Sequence, residues 1–231
     1  MSVERISLPI EHPNLDAVTA AVHPGAGRRR RRSVLLTHGA GGDLDGAGLI
    51  ALAEVLASQG HQVVRANLPH REQGKRGAPR ADRSVGAFKQ IIAAAKAELS
   101  DDRPWILGGK SYGGRVASMA VADGVSAAGL LFYGYPLHPP GKHDQLRVSH
   151  WPAVGVPCLF LQGERDTFCD IELLEEKVTK LPRRATIHVV PGGDHSLDVS
   201  AKAAPDGVRR SAVDVIADLE DVIARWVTTL D

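Results

Sequence analysis

Gly109-Lys110-Ser111-Tyr112-Gly113 sets a serine between two glycines, each two residues away. A serine hydroxyl attacks an acyl carbon only when a base takes its proton, and that base needs an acid to hold its tautomer. Two later stretches carry those residue types: Gln162-Gly163-Glu164-Arg165-Asp166 and Pro191-Gly192-Gly193-Asp194-His195. The chain order is then Ser111, Asp166, His195. An earlier stretch, His38-Gly39-Ala40-Gly41-Gly42, is small enough for backbone N–H groups to face a developing oxyanion. Tyr112, directly after the serine, and Ala40 are the expected donors. His38 is expected to hold its own loop by hydrogen bonds.

Other readings of the same residues fail on spacing. Gly109-Lys110-Ser111 could close a phosphate-binding loop, but that loop needs glycine at position 104, which is Pro104. The glycines after His38 would need a further glycine at position 44 to bind a dinucleotide, and Leu44 stands there. Glu164 competes with Asp166, but Asp166 stands where the chain reverses toward the next helix. Asp194 adjoins His195 in sequence, so its side chain is expected to point elsewhere. His70, His138, His143 and His150 lie in loops and are expected to be surface or packing residues.

The elements that must position these groups follow from periodicity. Short β-branched runs read as strands at Val34–Thr37, His61–Arg65, Trp105–Leu107, Ala128–Phe132, Val156–Leu161 and Ala185–Val190. Helical spacing fits Leu49–Leu56, Ala87–Leu99, residues 112–122, Glu172–Lys180 and one long amphipathic C-terminal segment from Val215 to Leu230. Residues 3–23 read as two antiparallel edge strands, residues 68–83 as a loop, and residues 136–152 as a loop-rich link with room for one short helix. Such alternation implies an α/β fold, a mostly parallel central sheet with helices on both faces. Its sites lie beyond the C-terminal ends of the strands, where Ser111, Asp166 and His195 all fall.

Composition narrows the classes. The 231 residues are 43% hydrophobic and 24% charged, which is globular, and their number suits one domain spanning 1–231. Twenty-eight Lys and Arg against 27 Asp and Glu give +1, no basis for a nucleic-acid partner. The run Arg28–Arg32 reads as a solvated turn. Two cysteines make neither a disulfide scaffold nor a zinc site, and no apolar run reaches a membrane span. The start of the chain lacks the apolar core of a secretory signal, so a cytoplasmic, soluble protein is expected.

At these residues the sequence resembles the α/β-hydrolase superfamily over nearly its whole length. More narrowly it resembles the small predicted hydrolases grouped with testis-expressed protein thirty and with the hydrolase-like domain of a non-specific-lethal chromatin subunit, a dienelactone-hydrolase-like set. The matching stretches are His38–Gly41, Gly108–Arg115, Tyr133–Lys142, Leu161–Asp166 and Gly193–Ser196. The resemblance implies an α/β-hydrolase fold and a Ser111–Asp166–His195 triad. It transfers no substrate: dienelactone hydrolases commonly use cysteine where this chain has Ser111. Many members of the superfamily insert a lid before the strand near Val156, whereas here about twenty Pro- and Gly-rich residues leave no room for a sizeable cap.

The expectation is a serine hydrolase that cleaves a carboxylic ester or thioester of a small-molecule acyl substrate, without metal or organic cofactor. A non-catalytic interaction module and a peptidase or amidase are the rivals. Lys110, His70, Arg71, Lys142 and Arg147 are expected to form a polar rim that steers an acidic substrate.

Overall fold

The computed structural model describes residues 2–27 and 31–230. Among these residues eight strands form one sheet: β1 (Glu4–His12), β2 (Leu15–His23), β3 (Ser33–Thr37), β4 (Gln62–Ala66), β5 (Trp105–Lys110), β6 (Ala127–Tyr133), β7 (Cys158–Gly163) and β8 (Ala185–Val190). Their spatial order is β1-β2-β4-β3-β5-β6-β7-β8. The β1–β2 hairpin pairs antiparallel onto β4, as expected of the N-terminal strands, and every pairing from β4 to β8 is parallel. The chain passes from β3 to β4 on one side and then returns to place β5 on the other. That reversal opens a crevice beyond the ends of β3 and β5, where Thr37 lies opposite Gly109.

Alternation along each strand divides the apolar residues between two faces. Leu35, Leu107, Leu130, Phe132 and Phe160 face α3 (Val85–Glu98) and α4 (Tyr112–Ala122), against Phe88, Ile91, Val116 and Ala120. Val34, Leu36, Ile106, Leu131 and Leu159 face α1 (Ala47–Ser58), α6 (Ala212–Asp218) and α7 (Glu220–Val227), against Leu52, Leu56, Ile216, Ile223 and Trp226. This is the doubly covered α/β sheet that the periodicity implied.

Two stretches differ from the sequence reading. The segment expected to be a loop over 68–83 contains α2 (Pro69–Glu72) and a 3-10 turn at Ala81–Ser84. Pro69 suits the first helical position, and the Glu72 carboxylate accepts from the Thr19 N–H and the Asn67 amide. The expected single C-terminal helix is broken at Leu219, whose N–H bonds back to Ile216 in a tight three-residue turn at 3.1 Å. The break keeps Val215, Ile216, Leu219, Ile223 and Trp226 all against one sheet face. The remaining helix, α5 (Ile171–Lys177), ends in a 3-10 turn.

The link 134–157 between β6 and β7 carries only a 3-10 turn at Trp151–Ala153. Its Tyr135, Leu137, Val148, Trp151 and Val154 are buried in the core, so it lies on the body with no cap over the crevice. Of the arginine run, Arg28–Arg30 lie outside the described residues; the Arg31 N–H bonds the Gly60 carbonyl, and Arg32 reaches the Leu230 carbonyl. Among the described residues no helix is long and apolar enough to cross a membrane.

Two buried histidines tie loops and strands together as acceptors. Arg65 Nε donates to His23 Nε2 at 2.8 Å, and the Leu68 N–H donates to His38 Nε2 at 3.0 Å. Burial pushes both rings down to about 4, with the Arg65 charge adding to the effect at His23. In the unfolded chain they titrate near 6.5, so below that pH the unfolded state binds more protons. Stability is therefore complete above pH 6.5 and falls as the pH drops toward 4. Urea midpoints should fall through this window, each ring adding up to about 1.4 kcal/mol per pH unit. His23→Gln should flatten the slope; a slope equal to that of the unmodified chain would show His23 protonated in the fold.

Candidate active site

Ser111 is the single residue between β5 and α4, with φ 48° and ψ −109°. A non-glycine residue keeps such a backbone only when its surroundings over-determine it. Here the Ser111 N–H donates to the Tyr133 carbonyl at the end of β6 (2.9 Å), and its own carbonyl receives the Arg115 N–H (3.0 Å). The flanking glycines answer to Thr37: a Cβ on Gly109, which also has φ 141°, or on Gly113 would overlap the Thr37 backbone. The turn can sit against β3 only without those side chains.

The remaining groups arrive from two neighbouring strand ends. Asp166, in the turn after β7, has a fully buried carboxylate. Its Oδ1 accepts the Phe168 N–H at 2.8 Å, and its Oδ2 accepts Gln162 Nε2 at 2.5 Å and His195 Nδ1 at 2.7 Å. With that proton on Nδ1, the opposite nitrogen is an acceptor, and His195 Nε2 lies 2.8 Å from Ser111 Oγ. The Phe168 ring covers the imidazole at 4.5 Å between centroids. Such a chain can draw the hydroxyl proton onto the imidazole as the oxygen attacks, while the carboxylate stabilises the imidazolium.

The structure thus brings together Ser111, Asp166 and His195, and gives their rivals other partners. Asp194 Oδ1 accepts the N–H groups of Ser196 (2.7 Å) and Asp198 (3.1 Å), and Glu164 accepts the Gly192 N–H (2.7 Å). His70 donates to the Ala40 carbonyl, His138 bonds Pro139 and Asp170, His150 bonds Ser118, and His143 packs on His138. His38 holds its loop through the Gly39 carbonyl and the Leu68 N–H.

Ala40 and Tyr112 line the same pocket as Ser111, a cleft of about 580 Å³. Tyr112 begins α4, so its N–H has no carbonyl within the helix to bond. Ala40 is held from behind by His70 Nε2 on its carbonyl at 3.1 Å. Both therefore border the space beside the Ser111 hydroxyl. Among the described residues no group of three or more His, Cys, Asp or Glu could hold a metal ion.

Sequence reasoning missed several supports. Gln162, fully buried, holds Asp166 with its amide nitrogen and the Tyr135 N–H with its oxygen (2.8 Å). Lys110 Nζ donates to Ser196 Oγ, and the Tyr133 hydroxyl to the Ser196 carbonyl, both at 2.7 Å, fixing the residue after His195. Burial lowers the Lys110 pKa against the pull of Asp194, Asp198 and Asp166. Lys110 is thus a brace and not a free rim charge. Of the five expected rim cations only Lys110 and Arg147 line the pocket, joined by Arg80 and Arg115. Arg71 is paired with Asp43 at 3.5 Å, and His70 is buried behind the loop.

Comparison with known proteins agrees with the fold. Residues 30–227 match the model of an alpha/beta hydrolase domain family. An alpha-beta serine hydrolase homologue from Coxiella burnetii superposes with TM-score 0.74 at 18% identity, covering 96% of each chain. A serine hydrolase without lid from Xanthomonas campestris gives 0.68 at 18%, over 97% of this chain and 94% of its own. The dienelactone hydrolase from Anabaena variabilis gives 0.70 at 17%, over 99% and 97%. At such identities the superpositions speak to the fold.

Gln162 offers a direct test of the support beneath Asp166. Gln162→Leu removes a donor from a buried carboxylate and leaves the Tyr135 N–H unpaired, each costing about 1–3 kcal/mol. Denaturant unfolding should show a loss of about 2–5 kcal/mol. A change below about 0.5 kcal/mol, the range of surface substitutions, would show that Asp166 and Tyr135 do not depend on it.

Proposed function

Because the chain belongs to the alpha/beta hydrolase family, we propose that it is a serine hydrolase cleaving a carboxylic ester or thioester through an acyl-enzyme on Ser111. The observation that carries this reading is the unbroken chain from Ser111 Oγ to His195 (2.8 Å) and from His195 to Asp166 (2.7 Å). Ser111 Oγ attacks the acyl carbon as its proton moves to His195 Nε2, and Asp166 stabilises the imidazolium. The N–H groups of Tyr112 and Ala40 take the oxyanion. On collapse the bond to the leaving oxygen or sulfur breaks, and His195 returns the proton to it. Water then repeats the sequence on the acyl carbon, and Ser111 is released. Beyond substrate and water, each step calls on Ser111, His195, Asp166 and the two backbone N–H groups.

The eight strands share one sheet, which supports reading the chain as a single catalytic domain. A non-catalytic interaction module is a poorer fit. It would gain nothing from a serine held at φ 48° or from an aspartate buried beneath a histidine. The substrate is proposed to be a small acyl ester, because no cap adds apolar wall to the cleft. Each methylene buried there contributes about 0.8 kcal/mol, and those beyond the cleft contribute nothing. Across p-nitrophenyl esters, short acyl chains should therefore be preferred; a maximum at ten or more carbons would contradict this.

Ser111→Ala should lower kcat by roughly 10⁴-fold or more. A fluorophosphonate should modify Ser111, as mapped by mass spectrometry, and His195→Ala should suppress the labelling. Combining Ser111→Ala with His195→Ala should cost little beyond either alone, because the residues act as a unit. Labelling at another residue, or losses that multiply, would overturn the assignment.

A further inference from the structure

Four long cationic side chains line the Ser111 pocket: Arg80, Lys110, Arg115 and Arg147. Two of them are occupied. Lys110 bonds Ser196, and Arg80 pairs with Asp82 at 3.3 Å. The pocket's own carboxylate, Asp43, is taken by Arg71. Arg115 and Arg147 form no ion pair among the described residues.

Most of their donors are likewise unclaimed among the described residues. Arg115 makes no side-chain hydrogen bond among the described residues, and its Nε is buried without a partner there. Arg147 has one long contact, Nη1 to the Pro136 carbonyl at 3.4 Å. Both are nonetheless built on fixed backbone. Arg115 stands on α4 one turn beyond Ser111, with its N–H on the Ser111 carbonyl. The Arg147 N–H donates to the Leu137 carbonyl (2.8 Å), and its carbonyl accepts the Tyr135 hydroxyl (2.9 Å). The two charges also feel each other: burial and the Arg115 charge both lower the Arg147 pKa. Bringing two guanidinium groups together without an acid is costly, and a bound anion relieves that cost.

We propose that Arg115 and Arg147 form an anion subsite in the Ser111 pocket that takes a carboxylate carried by the ester substrate. The proposal rests on Ser111 being the nucleophile. Planar guanidinium forks match a carboxylate with paired N–H donors. Arg115, Arg147 and Ser111 line one cleft of about 580 Å³, so a short acyl chain suffices to join a carboxylate held by the arginines to the scissile carbonyl. The substrate class is therefore the half-ester of a short dicarboxylic acid. Its hydrolysis forms and then breaks the Ser111 acyl bond, consumes one water, and releases the alcohol, the dicarboxylate and a proton.

The test compares kcat/KM for p-nitrophenyl hemiglutarate with that for neutral p-nitrophenyl pentanoate, at low and high salt. The ratio should exceed about tenfold in the unmodified protein and fall with salt. It should drop about tenfold in Arg147→Met and in Arg115→Met, mainly through KM, with Arg147→Lys keeping part of it. Thermal midpoints of the variants report whether they fold. As a readout free of chemistry, glutarate should raise the thermal midpoint of Ser111→Ala and fail to do so once Arg147→Met is added. A ratio near one, or equal losses on both esters in the methionine variants, would overturn the subsite. Failure of Ser111 itself would look different: neither ester would be hydrolysed through Ser111, and fluorophosphonate would label elsewhere.

Discussion

The backbone of β3 comes so close to the β5–α4 turn that no side chain fits between them, and the site is built on that contact. Thr37 occupies the space where Gly109 and Gly113 would carry a Cβ. The turn can then tighten until one residue, Ser111, spans strand and helix. Its N–H is caught by Tyr133 on the neighbouring strand, so three adjacent parallel strands fix one hydroxyl. A larger residue at either glycine would push the turn off β3 and carry Ser111 Oγ away from His195.

Around this point the sheet supplies polar partners at its strand ends. Tyr133 serves twice, its carbonyl holding Ser111 and its hydroxyl holding Ser196 beside His195. Gln162, the next-to-last residue of β7, does the same for Asp166 and Tyr135. Gly134, at φ 64°, lets the chain after β6 pass close under the His195 carbonyl. Nucleophile, imidazole and carboxylate are therefore positioned by neighbouring strand ends held in register, so small displacements in the sheet reach all three together.

Much of this was legible because the strands and the site obey local rules. Short apolar runs ended shortly before Ser111, Asp166 and His195, and a parallel sheet brings such ends to one edge. Asp166 could be preferred to Asp194 because a residue adjoining the histidine turns into its own loop, as Asp194 does. The misses were long-range. Lys110 reads as a surface cation until Ser196, 86 residues away, is brought beside it. Gln162 reads as one of the residues that follow a strand, and only the folded chain shows it holding Asp166. Arg115 does not stand out within its helix; Arg147 is expected at the rim, and the link 134–157 does place it in the pocket beside Arg115. The C-terminal helix kept its apolar spacing, and the break at Leu219 left no mark in it.

The link 134–157 has a kinetic consequence that follows from its being pinned to the body. With Tyr135 and Trp151 buried in the core, it cannot swing over the cleft to exclude solvent. An acyl group on Ser111 would then face the bulk medium throughout its lifetime. Any dissolved alcohol, thiol or amine could compete with water for it. The partition between hydrolysis and acyl transfer would follow acceptor concentration and nucleophilicity, with no closure of this link to select between them.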